Sequence, residues 1–184
     1  MTRTGNNPSP LRHQRGVVLI VALILLLVLT MIGVGVTQST SLEERMAGNA
    51  RDKDLAFQAA EAGLRGGEDG LLQALFTNFN NSAGQYEYDP TAAPIWTTVN
   101  WTDATKVIAY AGTPIAMSTG STTQQLPQQP VFIVEQLPPV PAPGQNLGAT
   151  EYGDAPTIQL FRITALGTGG DANAQAMLQT VFQP

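Results

Sequence analysis

An uncharged apolar run near the N-terminus constrains this chain more than any other feature. Residues 17–36 contain one hydroxyl side chain, Thr30, and no charged residue. Since an α-helix rises 1.5 Å per residue, a helix over this run spans about 30 Å, the thickness of the hydrocarbon core of a bilayer. A helix that is apolar on every side is rarely buried in a soluble domain. The run therefore predicts a membrane-spanning segment over about residues 17–38.

The residues before the apolar run are basic and have no acidic neighbours. Arg3, Arg12 and Arg15 all precede Gly16, and such a flank predicts a cytoplasmic N-terminus with the rest of the chain exported. A cleaved secretory signal peptide is disfavoured, because the run is longer than a usual signal core and no Ala-x-Ala site follows it. A single-pass anchor without processing remains an alternative.

Composition excludes several functional classes. The 184 residues include no cysteine, which rules out disulfides, thiol catalysis and cysteine-type metal sites. Loss of the three N-terminal arginines would change the formal net charge from −5 to about −8, and such an acidic chain repels nucleic acid. The single histidine, His13, precedes the apolar run, and no Walker, Rossmann or HExxH motif occurs. We expect no enzymatic activity and no cofactor.

Three acidic residues in the C-terminal loops raise the question of calcium binding. Their spacing matches no known oxygen-ligand loop, so solvated loops are favoured and no metal site is predicted; they are Glu151, Asp154 and Asp171.

A second, polar stretch continues the helix after the apolar run. Residues 37–75 lack proline, and apolar residues recur there at spacings of three, four and seven, which favours an amphipathic helix. Glu61 and Arg65 stand four residues apart in the favourable order. We therefore predict one helix over residues 17–75. Apart from Lys53, the stripe that the recurring residues form is apolar and comprises Leu42, Met46, Ala50, Phe57, Ala60, Leu64, Leu71 and Leu75.

Beyond Phe76 the composition indicates a loop-rich β domain over residues 76–184. Eleven of the 13 prolines lie from Pro90 onward, and residues 76–130 are predicted to be mostly loops. A three- or four-stranded antiparallel sheet on the helix gives an α+β architecture. Its strands would cover residues 131–137, 157–166 and 175–182, with 107–111 as the candidate for a fourth. An exposed loop would cover 138–155 and a hairpin loop 167–173. Trp96 and Trp101 favour a small core over a sugar-binding pair.

Three strings in the N-terminal third carry a family resemblance. They are Arg-Gly-Val-Val-Leu-Ile-Val-Ala-Leu-Ile-Leu-Leu-Leu from Arg15, Ser-Leu-Glu-Glu-Arg-Met-Ala-Gly-Asn-Ala-Arg-Asp from Ser41, and Ala-Phe-Gln-Ala-Ala-Glu-Ala-Gly-Leu-Arg from Ala56. Through them residues 14–65 resemble the PilX N-terminal family of minor pilins of type IV pili. The end of the chain, from Phe161, is similar to the closing hairpin of that family. The resemblance implies a pilin-like fold, in which a long helix, half transmembrane and half amphipathic, packs on a small sheet.

The resemblance also implies processing at the border of the apolar run. Residues 1–16 would be a prepilin leader that prepilin peptidase removes after Gly16, and the same enzyme would methylate the new amine of Val17. Major pilins carry a glutamate at the fifth mature position, where this chain has Val21. That glutamate neutralises the amine of a neighbouring subunit in the fibre core, where an unpaired charge is costly. The K-type pseudopilin of type II secretion also lacks it and lies at the fibre tip, so we expect a place at or near the tip. A rare subunit along the shaft is the alternative.

The resemblance finally implies a location and a set of partners. The chain would wait in the inner membrane, with its C-terminal domain in the periplasm, and then enter the extracellular pilus, where adhesion and twitching motility are the family's processes. Partners would be inner-membrane lipid, other minor pilins, the major pilin, a possible tip adhesin and prepilin peptidase, with no nucleic acid. Gly33 and Gly35 would be the candidates for helix melting in the fibre, with close helix packing as the alternative. Two other functions stay open: a permanently anchored periplasmic binding or sensing protein, and a type II secretion pseudopilin.

Overall fold

The computed structural model describes residues 15–119, 122–142 and 156–184. The chain divides into two units, Met1–Ala47 and Gly48–Pro184. The described part of the first unit is helical throughout and belongs to helix α1, which runs from Arg15 to Leu72. The second unit contains the end of that helix, from Gly48, and all the strands.

The second unit is built mainly from short strands. In chain order its remaining elements are β1 (Gln85–Glu87), α2 (Ile95–Thr98), β2 (Ile108–Ala109), β3 (Ala116–Thr119), β4 (Thr122–Gln125), β5 (Val131–Gln136), β6 (Val140–Pro141), β7 (Thr157–Ile158), β8 (Phe161–Thr168) and β9 (Gln175–Phe182). The main sheet has the order β1-β5-β8-β9. Strands β1 and β2 lie on the same edge of β5, where β2 pairs with its first residues and β1 pairs with its last. Strands β3 with β4, and β6 with β7, form two separate hydrogen-bonded pairs.

Small residues let the helix approach the sheet closely. Ala56, Ala59 and Ala60 are fully buried, and they meet β8 at Gly167, where a Cβ atom would collide with the backbone of α1. One turn later Gly63 faces Ala165. Most of the larger side chains of this core, among them Phe132, Val134 and Ile163, come from β5 and β8, and α1 adds Leu71. The helix therefore packs mainly through small side chains, and the strands supply most of the large side chains of the core.

A second small core covers the other side of β5. Tyr86, Val107 and Ile133 are buried together, and Trp96 and Trp101 pack against them. The indole N–H of Trp101 donates to the carbonyl oxygen of Trp96 at 3.3 Å. Both tryptophans therefore close a core, as the sequence favoured.

The α+β, pilin-like fold class is confirmed, with one difference in the sheet. Strand β1 runs parallel to β5, so the sheet is mixed and five-stranded rather than wholly antiparallel. β1 has only three residues, and its pairing with β5 joins Gln85 to Val134, a partnership that no local pattern predicts. The predicted ion pair between Arg65 and Glu61 forms at 2.7 Å.

The apolar stripe on α1 is buried only in part. Ala60 and Leu71 are buried, but Leu42, Met46, Phe57 and Leu75 are exposed. The sheet selects the neighbouring face of alanines and glycines instead, because only small residues admit the backbone of β8. The helix also ends three residues early, at Leu72.

The strand predictions agree best near the C-terminus. β5 and β9 lie where the sequence places them, and β2 forms within the predicted 107–111 segment. The predicted 157–166 strand is divided into β7 and β8, and β8 extends to Thr168, inside the predicted hairpin loop. Of the predicted 138–155 loop, residues 143–155 lie outside the described residues, and β6 forms before them. The pair β3–β4 was not expected; Arg51 of α1 donates to the Ser118 carbonyl oxygen at 2.9 Å and holds it.

Candidate functional site

The described residues of the first unit present a large exposed apolar surface. Exposure of the large apolar side chains between residues 17 and 36 runs from 46% at Val28 to 71% at Met31. Among the described residues, α1 is the one helix long and apolar enough to cross a membrane. A continuous surface of this kind is not stable in water. It therefore requires lipid or the apolar helices of other proteins around it.

The hydroxyl groups on this helix are suited to an apolar surrounding. Thr30 donates to the Leu27 carbonyl oxygen at 2.8 Å, and Thr37 donates to that of Val34 at 2.8 Å. Because each hydroxyl hydrogen is used within the helix, neither side chain needs water as a partner.

The three residues expected to govern processing and assembly lie at the start of α1. Gly16 has open space around its Cα, and the side chains of Val17 and Val21 are 65% and 53% exposed. Val17 and Val21 are one helical turn apart, on the same side of the helix. The leader up to residue 14, with His13, lies outside the described residues.

Helix α1 carries no acid near Val17. The first acidic residue after Gly16 is Glu43, which stands about 39 Å along the helix from Val17 at 1.5 Å per residue. An amine at Val17 would therefore find no carboxylate on its own helix within pairing distance.

Gly33 and Gly35 lie inside the continuous helix. A Cβ atom at either position would meet no atom within 4 Å, so each presents bare backbone to whatever surrounds the helix. Neither the melting of this stretch in a fibre nor its close packing in a membrane is tested, and both stay predictions.

The second unit contains a buried ion pair that the sequence patterns did not identify. Glu135 on β5 is 4% exposed, and its Oε2 accepts a hydrogen bond from Nη1 of Arg162 at 3.0 Å. Burial raises the pKa of Glu135, and the Arg162 guanidinium opposes that rise. The sequence does contain a signal for this ion pair. An acid in the apolar string Val131–Gln136 and a base in the next long strand are typical of a cross-strand pair.

Acidic side chains elsewhere form no recognisable cation site among the described residues. No group of three or more His, Cys, Asp or Glu side chains there could hold a metal ion. Glu151 and Asp154 lie outside the described residues. Asp171 accepts hydrogen bonds from the backbone and side chain of Asn173 within its own turn.

Comparison with known protein families gives two matches that together cover the described chain. The family model described as PilX N-terminal matches residues 15–65. The family model described as Type IV pilus assembly protein PilX C-term matches residues 55–184, more than half of the chain. No curated protein and no solved structure matches the chain significantly.

Proposed function

Because the chain belongs to the PilX family of type IV pilus assembly proteins, we propose that it is a minor pilin that acts at or near the pilus tip, in the complex that starts assembly. The observation that carries the proposal is the exposed, uncharged run of α1 that begins at Val17 and has valine at position 21. A protein of this family interacts with other pilus components. Its work is packing and charge matching, with no catalytic step.

The helix would serve two environments in turn. In the inner membrane its apolar side chains face lipid, with the second unit in the periplasm. On extraction into the pilus the same side chains would pack against the helices of other pilins. The internally satisfied hydroxyls of Thr30 and Thr37 support this exchange, because neither environment offers water.

Processing at Gly16 would prepare the helix for the fibre. Prepilin peptidase would remove residues 1–16 with their arginines and methylate the amine of Val17. The new amine would be the single charge at the start of the apolar run 17–36, and burying it unpaired costs several kcal/mol, about 3–5 in comparable cases.

The residue at Val21 argues for the tip. In the fibre each glutamate at this position would neutralise the amine of the adjacent subunit. Val21 offers no such partner, and the nearest acid in the sequence, Glu43, is about 39 Å away along the helix. A subunit that cannot pair an adjacent amine is best tolerated where one neighbour is missing, which is the end of the filament. Its partners there would be other minor pilins, the major pilin and a tip adhesin.

The mature N-terminus tests the first half of the proposal. Protein isolated from the native cell is expected to begin at Val17 and to be one methyl group heavier than the unmodified chain, by intact mass. A Gly16→Leu variant should keep its leader, whereas Gly33→Leu, the same change farther along the helix, should be processed normally. An unprocessed Met1 terminus in the native protein would contradict the proposal and favour a permanently anchored periplasmic protein.

A charge placed at Val21 tests the second half. With Val21→Glu we expect fewer pili per cell, and the variant should appear along sheared filaments, because it can now pair an adjacent amine. Leu25→Glu adds the same charge one turn away and should not enter the shaft. Unchanged pilus numbers and an unchanged location of Val21→Glu would argue for a subunit with no special place at the tip.

A further inference from the structure

A cleft of about 380 Å³ lies in the second unit beside β1. The loop between β1 and α2 forms most of its wall, and Glu135 of β5 contributes as well. The lining residues are Asn81, Tyr86, Glu87, Tyr88, Asp89, Pro90, Ala92, Ala93, Pro94, Ile95 and Glu135. Its volume is at the lower end of the roughly 300–1,000 Å³ typical of small-molecule sites, so it suits one side chain rather than a folded surface.

The described residues of the cleft wall carry negative charge and include no lysine or arginine. Its three carboxylates belong to Glu87, Asp89 and Glu135. The side-chain hydroxyl and backbone N–H of Thr91 donate to Asp89 at 2.6 and 2.8 Å, and these bonds lower the pKa of Asp89. Even with Glu135 balanced by Arg162, two negative charges remain.

A buried acceptor lies in the same wall. Glu135 is 4% exposed, and Arg162 donates a hydrogen bond only to Oε2 of its carboxylate. Among the described residues no donor reaches Oε1, and no buried side-chain oxygen or nitrogen there is wholly shielded without a partner. Within the described part of the chain, Oε1 of Glu135 therefore accepts no hydrogen bond, and Glu135 lines the cleft.

Two tyrosines complete the surroundings that a cation favours. The ring of Tyr88 already has the guanidinium carbon of Arg162 at 5.5 Å from its centroid. Tyr86 is buried, and its hydroxyl donates to the Lys106 carbonyl oxygen at 2.8 Å, which fixes the ring. Aromatic faces beside carboxylates attract ammonium and guanidinium groups.

We propose that this cleft binds the arginine or lysine side chain of a partner protein. Charge decides the occupant: the cleft is negative, and a second copy of this chain, at about −8 without the residues before Gly16, would be repelled. The partner is therefore a different protein with a protruding basic side chain. The cleft lies wholly within the second unit, so the inference is independent of processing at Gly16 and of the place of the subunit in the filament.

Titration with isolated side-chain probes tests the cleft directly. The full-length protein, fluorine-labelled at tyrosine and held in detergent micelles, is titrated with N-acetyl-arginine amide and, separately, with N-acetyl-lysine amide. The resonances of Tyr86 and Tyr88, assigned by Tyr→Phe variants, should shift and saturate with one of these probes. N-acetyl-glutamine amide, which is uncharged, should produce no saturable shift.

A double variant separates specific binding from general attraction. Glu87→Gln with Asp89→Asn should weaken binding of the cationic probe at least tenfold, and both residues are exposed, so folding should be unaffected. Glu61→Gln with Glu68→Gln removes the same charge from α1 and should change affinity less than twofold. Equal shifts with the uncharged probe, no saturation with either cation, or equal weakening by the two double variants would overturn the proposal.

Discussion

Gly167 is the residue at which β8 touches helix α1. A Cβ atom there would collide with the Ala56 carbonyl oxygen and the Ala60 backbone nitrogen. Both obstacles are backbone atoms inside a helix, so neither can rotate away as a side chain could. The close approach of the two elements therefore depends on the missing side chain at this position.

Gly167→Ala is expected to lower the free energy of unfolding of the second unit by about 2–3 kcal/mol, because the added methyl group forces the helix off the strand. Gly48→Ala is the matched control. Gly48 lies in helix α1, and a Cβ atom there would meet nothing within 4 Å. The change to alanine should therefore stabilise the protein by about 1 kcal/mol. Urea unfolding followed by the fluorescence of Trp96 and Trp101 measures both. A loss of less than 0.5 kcal/mol (about twofold in the unfolding constant) for Gly167→Ala would contradict this packing.

Glu135 links the stability of the second unit to pH. Burial raises its pKa above the ordinary value of 4.5, and Arg162 limits the rise. The folded state therefore holds this proton more tightly than the unfolded chain. Its contribution is fully present below pH 4.5, the ordinary value, and is lost as pH rises through the folded pKa.

Glu135→Gln should remove this loss of stability. Above pH 4.5 the unfolding free energy of the variant should therefore fall less steeply with pH than that of the parent protein. The two slopes should differ by at most about 1.4 kcal/mol per pH unit, the value for one proton. Arg162→Gln should act oppositely. It removes the group that lowers the Glu135 pKa, so the loss should extend to higher pH. Urea unfolding across a pH series gives both slopes. If both variants follow the slope of the parent protein, Glu135 does not titrate as described.

At the scale of elements, the end of α1 shows how the chain leaves the helix. Leu75 N–H donates to the Gly70 carbonyl oxygen at 2.9 Å and Ala74 N–H donates to that of Leu71 at 3.0 Å. These two bonds form a Schellman motif, whose residue in left-handed conformation is usually glycine. Here it is Ala74, with φ at 51°. An alanine at that φ is strained.

Ala74→Gly is expected to stabilise the second unit by about 1 kcal/mol, because glycine adopts this conformation without a steric cost. Ala50→Gly provides the contrast. Ala50 is exposed within the helix, and the same change there should destabilise by about 1 kcal/mol. Thermal unfolding by circular dichroism should shift in opposite directions for the two variants. A shift in the same direction would contradict the role assigned to Ala74.

At the scale of the whole molecule, the two units differ in how much of their surface is buried. The described residues of the first unit are exposed along their entire length. The second unit has its own buried cores, built from the end of α1 and the main sheet. A unit with its own core is able to fold alone.

A fragment covering residues 48–184 is therefore expected to be soluble without detergent and to unfold in one cooperative transition. A fragment covering residues 63–184 lacks Ala56, Ala59 and Ala60, so β8 would lose its cover at Gly167 and the transition should disappear. Near-ultraviolet circular dichroism during heating distinguishes them. Equal stability of the two fragments would show that this turn of the helix is dispensable to the sheet.

The amino-acid sequence by itself determined the features that depend on local composition. The uncharged run from Val17 predicts a membrane span, because insertion depends on the sum of side-chain transfer energies along one helix. Strands β5 and β9 were also predictable, since their apolar and β-branched residues favour extended backbone wherever they pack. The PilX resemblance followed from contiguous strings of residues and needed no coordinates.

Only the tertiary structure decided which residues meet across the chain. The helix buries its small residues rather than Phe57, because the backbone of β8 at Gly167 must fit against it. Glu135 and Arg162 pair across 27 residues of sequence. They meet because the register between β5 and β8 places them opposite each other. The same register, with the parallel pairing of β1, forms the cleft beside Tyr88. Local propensity contains no term for such contacts, because their energy exists only after distant segments have come together.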